Sequence, residues 1–171
     1  GSVGTRCALS LFQDGDGNTL ILQSKEAGRS VLEQYGGIEQ PTELTALISE
    51  RGQGGRVVAM QRILQAVSDP FLGSLRHSDN LVGELELYVR QFHDMKGGIE
   101  IEKIEDEPFI TYGRACAVTL ARAHAQSPQA ANVSGYLGNG AAVGEALLEW
   151  GMGYAQRSLD DYEIFLATAA N

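Results

Sequence analysis

Leu81-Val82-Gly83-Glu84-Leu85-Glu86-Leu87-Tyr88-Val89-Arg90-Gln91-Phe92 is the stretch whose reading decides the fold class. Leu85, Leu87 and Val89 alternate with Glu84, Glu86, Tyr88 and Arg90, a period of two. Successive side chains of a strand point to opposite faces, so the pattern predicts a strand with one face in a core and the other in water. Partner strands are found upstream. Residues 6–12 and 19–25 flank Asp14-Gly15-Asp16-Gly17-Asn18, whose Asp-Gly chemistry predicts a β-hairpin. Residues 71–77 read as a further strand, joined to 81–92 by a turn at Ser78-Asp79-Asn80. Residues 99–104 alternate apolar and charged, either as a short edge strand or as an extended linker.

Helical periods occupy the rest of the chain. Val57, Met60, Leu64 and Val67 predict an amphipathic helix over residues 55–68, ended by Asp69-Pro70. A short amphipathic stretch over 29–35 precedes Gly36-Gly37, and 36–54 reads as a loop with one helical turn around 44–48. From Pro108, the residues Phe109, Tyr112, Cys116, Leu120 and Ala123 form one stripe of a long helix that Pro128 closes. A short helix at 130–136 and a final one over 141–169 follow. Strands with one helix first and helices afterwards define an α+β class, with a small antiparallel sheet over residues 1–98 and a helical part of the same domain over 99–171.

Composition narrows the function classes. With 171 residues and 43% hydrophobic side chains, the chain has the size and content of one domain with a core. Its 22 acidic against 13 basic side chains, net charge -9, disfavour a nonspecific grip on nucleic-acid phosphates. No apolar run nears the roughly 20 residues of a membrane span, and no leader-like segment opens the chain, so a soluble cytoplasmic protein is expected. Cys7 and Cys116 lack CxxC spacing and are expected to be buried, reduced thiols.

Several motifs invite chemistry and fail on spacing. Asp14, Asp16 and Asn18 suggest a calcium loop, but Thr19 and Lys25 stand where that loop needs glycine and glutamate. Gly138-Asn139-Gly140 with Gly144 is off a dinucleotide fingerprint by one and follows a helix, not a strand. Gly151 and Gly153 in the last helix fit close helix packing. His77, His93 and His124 have no metal-ligand spacing, no serine-hydrolase elbow occurs, and the acidic run 100–107 reads as a solvated face.

Two features resist dismissal. Gly1-Ser2-Val3-Gly4 precedes the hairpin and Lys25 ends its second strand. Kinase-like folds cover nucleotide phosphates with a glycine loop and neutralise them with a strand lysine, because glycine lets backbone N–H groups approach the oxygens. That lysine normally pairs with a glutamate on the next helix, and residues 55–68 contain none; Glu33, Glu50 or Gln61 would have to substitute. The second feature is Arg90-Gln91-Phe92-His93-Asp94-Met95-Lys96-Gly97, at the exit of the best strand, where a kinase-like lobe has the hinge that reads the adenine edge. An ordinary polar loop is the alternative there, and a solvated lysine at a strand end is the alternative for Lys25.

These segments, together with Arg56-Val57-Val58, Ser68-Asp69-Pro70-Phe71-Leu72-Gly73, Leu120-Ala121-Arg122-Ala123-His124-Ala125 and Gly135-Tyr136-Leu137-Gly138, occur in an order that resembles an uncharacterised bacterial family, domain of unknown function twenty-two fifty-two. The resemblance spans nearly the whole chain. It implies a distant likeness to protein kinases and aminoglycoside phosphotransferases, in longer proteins whose catalytic Gly-Asp-x-His-x-x-Asn-Phe loop precedes the glycine loop. By that likeness Gly1, Ser2 and Gly4 would cover the phosphates of ATP with magnesium, Lys25 would bind them, and the backbone of Gln91, Phe92 and His93 would meet adenine. The family's usual helix glutamate is replaced by Ala59. The expectation is a nucleotide-binding portion of a phosphotransferase-like protein of unknown substrate, a piece of a larger domain that does not transfer phosphate alone. The rival expectation is a non-catalytic module that self-associates as a homo-oligomer or binds a partner protein.

Overall fold

The computed structural model describes residues 4–79, 83–93 and 97–169. Among them four strands form one antiparallel sheet: β1 (Cys7–Gln13), β2 (Thr19–Glu26), β3 (Gly73–Asp79) and β4 (Gly83–Gln91), in the order β1-β2-β4-β3. The helices are α1 (Val31–Gln34), α2 (Thr42–Leu64), α3 (Asp106–His124), α4 (Ala130–Leu137) and α5 (Ala141–Ala169). The fold is mixed α+β. It divides into two compact units, residues 1–126 and 127–171.

The β1–β2 hairpin forms where the Asp-Gly run predicts it. Asp14 closes the turn: its Oδ1 accepts the N–H groups of Asp16 and Asn18 at 3.0 and 2.8 Å, and its Oδ2 accepts the Asn18 amide at 2.8 Å. These bonds, led by the Asn18 side chain, favour the ionised carboxylate and hold its pKa below the ordinary value. The carboxylate oxygens therefore serve the turn. Between α4 and α5, Gly138 and Gly140 take positive φ, and Asn139 Oδ1 accepts the N–H of Ala141 at 3.1 Å, so this segment is a helix break and restart.

The region before the sheet's second hairpin departs from expectation. Helix α2 begins at Thr42, thirteen residues before the predicted start, and stops at Leu64, with Gln65 already extended. It is two helices joined at Gly52, where φ is 71° and ψ is -176°. Only glycine occupies that region readily, so the break is written into Arg51-Gly52-Gln53-Gly54-Gly55. Gly54 answers a different need, since a Cβ there would lie 2.1 Å from the carbonyl oxygen of Leu87. The absent side chain lets α2 lie directly on β4.

The alternation in β4 holds, but the face expected to be wet is covered, and residues of both faces from Leu85 to Gln91 are half-buried. Glu86, on the face expected to be wet, accepts the N–H of Gln53 in α2 at 2.6 Å and pairs with Arg76 of β3 at 3.0 Å. Arg76 in turn donates to the carbonyls of Ile48 and Ser49 at 2.8 and 3.0 Å. A broken helix leaves carbonyls and N–H groups unpaired at the break, and these two charged side chains satisfy both ends. The polar face is therefore the helix-covered face.

Three smaller corrections follow from local hydrogen bonding. Ser78 and Asp79, expected in a turn, belong to β3, which runs through Asp79; Asn80 lies outside the described residues. Residues 101–103 form a single 3-10 turn rather than a strand or linker, fastened by the Lys103 N–H on the Glu100 carbonyl at 3.0 Å and by a Lys103–Glu100 ion pair. Cys7 and Cys116 are free thiols, but both are exposed rather than buried. Cys7 sits on edge strand β1, exposed along its whole length, and Cys116 on α3, which has no buried residue.

Candidate functional site

Register decides which of the candidate residues share a face. Lys25 of β2 pairs with Cys7 of β1 on one side and Tyr88 of β4 on the other. Paired residues of a ladder point to the same face, so Lys25 shares a face with Tyr88, Glu86 and Arg76, the face that α2 covers. The lysine is half-buried, and among the described residues no carboxylate pairs with it. The three substitutes considered for the missing helix glutamate divide clearly. Glu33 is engaged by Arg29 at 2.7 Å and by Gln40 at 3.3 Å, Glu50 pairs with Arg51 at 3.1 Å, and Gln61 stays half-buried in α2.

Gly4 forms a turn with φ of 84° just before the strand residue opposite Lys25. Arg6 fastens that turn to the lysine's strand: its carbonyl accepts the Glu26 N–H at 2.9 Å, and its own N–H donates to Glu26 Oε2 at 3.0 Å. Gly1 and Ser2 lie outside the described residues. The segment that follows Gly4 is thus tied to the strand that carries Lys25.

Gln91, Phe92 and His93 lie three to five residues along from Tyr88, which at about 3.3 Å per residue is roughly 10–16 Å from the lysine's pairing position. Their backbone is partly committed. The Gln91 N–H donates to Asp69 Oδ2 at 2.6 Å, and the Phe92 N–H donates to the Ile21 carbonyl at 2.9 Å. His93, exposed, carries the first N–H at this strand exit that has no partner among the described residues. Between the lysine and the exit stands Arg90, opposite Gln23, whose Oε1 it contacts at 3.2 and 3.4 Å.

Asp69 and Glu86 were not singled out from the sequence, and Arg90 only as the first residue of the 90–97 segment. Arg90 had a signal, since it shares the parity of Tyr88, but only the β2–β4 register puts it on the lysine's face. Asp69 also had one, in Ser68-Asp69-Pro70. Its Oδ1 accepts the Phe71 N–H at 2.8 Å, the local turn an aspartate before proline favours, while Oδ2 reaches across to β4. Glu86 had none, because a glutamate in an alternating strand reads as solvent-facing.

Two clefts lie elsewhere in this unit. One, of about 460 Å³, is lined by Arg29, Glu33, Gln40, Thr45, Ile48 and Gln53 and so straddles the α2 break. There the hydrogen bond from Arg29 Nε holds the Glu33 carboxyl below its ordinary pKa, with Gln40 adding to the effect. The other, of about 540 Å³, is more apolar and runs along the start of α3 past Ile99, Ile104, Pro108 and Tyr112. Neither contains Lys25. Among the described residues, no group of three His, Cys, Asp or Glu side chains gathers to hold a metal, and no helix is long and apolar enough to cross a membrane.

Over residues 1–168 the chain matches the family described as an uncharacterized protein conserved in bacteria (DUF2252), and it belongs to that family. No curated protein and no solved structure matches it.

Proposed function

Within that uncharacterised bacterial family, we propose that the sheet unit binds the triphosphate and base of ATP, as the nucleotide-holding part of a kinase-like phosphotransferase of unknown substrate. One observation supports the reading: Lys25 lies on the helix-covered face opposite Cys7, three residues after Gly4, with a strand exit roughly 10–16 Å along the sheet, about the span between a nucleotide's phosphates and its base. A lysine there neutralises phosphate charge as a point cation. Arg90, on the same face and between the two ends, adds a second cation. At the exit, His93 offers a backbone N–H that has no partner among the described residues, and the N–H groups of Gln91 and Phe92 are retained by the fold.

The residues fit the phosphates better than they fit magnesium. With no gathered carboxylates among the described residues, the ion enters this reading only as the one the nucleotide carries. His77-Ser78-Asp79 has the His-x-Asp spacing, but Glu84 stands where the catalytic loop needs its metal-binding asparagine, so the proposed role of this chain is binding, without turnover of its own. Thermal melting with Mg-ATP tests the reading. Saturating nucleotide at about 100 times its Kd adds roughly 2.7 kcal/mol to the folded state. Lys25→Ala is expected to abolish most of that shift while leaving the ligand-free melting temperature unchanged. A shift that survives Lys25→Ala undiminished, or no shift in the unaltered chain, overturns the proposal.

A further inference from the structure

Helix α5 carries a continuous apolar seam. Leu148, Met152, Ala155, Leu159, Tyr162 and Leu166 follow one another at spacings of four, three, four, three and four. At about 100° per residue this keeps all six within a narrow stripe, the pattern that seats one helix against another. The large residues of the stripe are open, with Leu148 at 68%, Met152 at 69%, Leu159 at 59%, Tyr162 at 57% and Leu166 at 48% exposure. No residue of α5 is buried.

The two borders of the seam differ. One carries Glu145, Glu149, Asp160 and Glu163, with Gln156 among them donating to Asp160 Oδ1 at 2.9 Å. The helix's single cation, Arg157, lies on the opposite side. The other border carries Leu147, Gly151, Ser158 and Phe165, none of them charged, with Asp161 beyond it toward the side of Arg157. A second copy would bring the same seam and the same acids. In a parallel pair the acids would face uncharged residues, in an antiparallel pair they would face each other, and each chain carries a net charge of -9.

We propose that the α5 seam is a docking surface for an amphipathic helix whose apolar stripe is bordered by lysine or arginine, read by the apolar contacts and by the rail of Glu145, Glu149, Asp160 and Glu163. This does not depend on the nucleotide reading. Apolar burial supplies the affinity, and the one-sided rail sets the partner's charge and direction.

The test uses the full chain and two fluorescently labelled peptides of about 28 residues with the same leucine and isoleucine stripe, one flanked by lysine and one by glutamate. Fluorescence anisotropy is expected to give at least tenfold tighter binding of the lysine-flanked peptide. Leu159→Glu is expected to weaken that binding at least tenfold without loss of helical circular dichroism. The double variant Glu149→Lys, Glu163→Lys is expected to reverse the preference toward the glutamate-flanked peptide, an outcome that loss of folding does not mimic. Equal binding of the two peptides, binding of neither, or no reversal overturns the proposal. So does a dimer of the chain in sedimentation that Leu159→Glu returns to monomer, since that assigns the seam to a second copy.

Discussion

The sheet unit and the helical unit solve the same problem in opposite ways. In residues 1–126 the buried apolar side chains Ala27, Val58 and Leu72 are accompanied by polar links between distant elements: Arg76 and Glu86 to the break in α2, Asp69 to the exit of β4, and Arg62 to the Leu72 carbonyl at 2.7 Å. In residues 127–171 the polar side-chain bonds are local, such as Gln156 to Asp160 and Thr168 to the Ile164 carbonyl at 2.9 Å, and neither α4 nor α5 buries a residue. Within the sheet unit, long-range bonds specify one geometry. In α4 and α5 the polar side-chain bonds stay within a few residues, and large apolar side chains are exposed.

Glycine substitutions break this comparison most sharply. Gly54→Ala drives a Cβ into the Leu87 carbonyl and is expected to cost about 3 kcal/mol or more in chemical denaturation, at or beyond the upper end of ordinary overpacking. Gly153→Ala in α5 meets nothing within 4 Å and is expected to stabilise by about 0.5–1 kcal/mol through helix propensity. If the two behave alike, the contrast between the units is wrong.

A smaller effect is expected at the clasp. Glu86→Gln keeps the shape but loses the carboxylate that Arg76 and the Gln53 N–H share, at a cost of about 1–3 kcal/mol. Native-state hydrogen exchange is expected to accelerate first at the residues flanking Gly52.

The smallest effect is in acid. The folded pKa of Glu33 is depressed, so its contribution is complete above the ordinary carboxylate range and is lost as pH falls through the folded value. Glu33→Gln is expected to flatten that part of the stability-versus-pH profile by removing a small contribution at neutral pH and none in strong acid, small because the Arg29 contact is largely exposed.

Legibility in the sequence followed the range of the deciding interaction. The β1–β2 hairpin was readable because Asp14 to Asn18 build their own turn. α3, α4 and α5 were readable from Pro108, Pro128 and the Gly138-to-Gly140 break, with α5 starting at Ala141 as expected and running to Ala169, the last described residue. The α2 break was not, since three glycines in five residues read as a loop until Arg76 and Glu86 are seen capping the two half-helices. At the candidate site Lys25 was legible as a strand-end lysine after a glycine loop. Its neighbours Arg90 and Asp69 required the β2–β4 register and the contact of Asp69 with Gln91.

By itself the sequence determined the α+β order, the hairpin, the long helices and the apolar seam of α5, because turn chemistry and periodicity act over a few residues. Only the tertiary structure decided which face of β4 is covered, that α2 is two helices held by an ion pair, and which N–H groups at the strand exit remain available. Each depends on groups brought together from residues far apart in the chain, and a buried hydrogen-bonding group is satisfied by whatever partner the fold places there, whatever its distance in sequence.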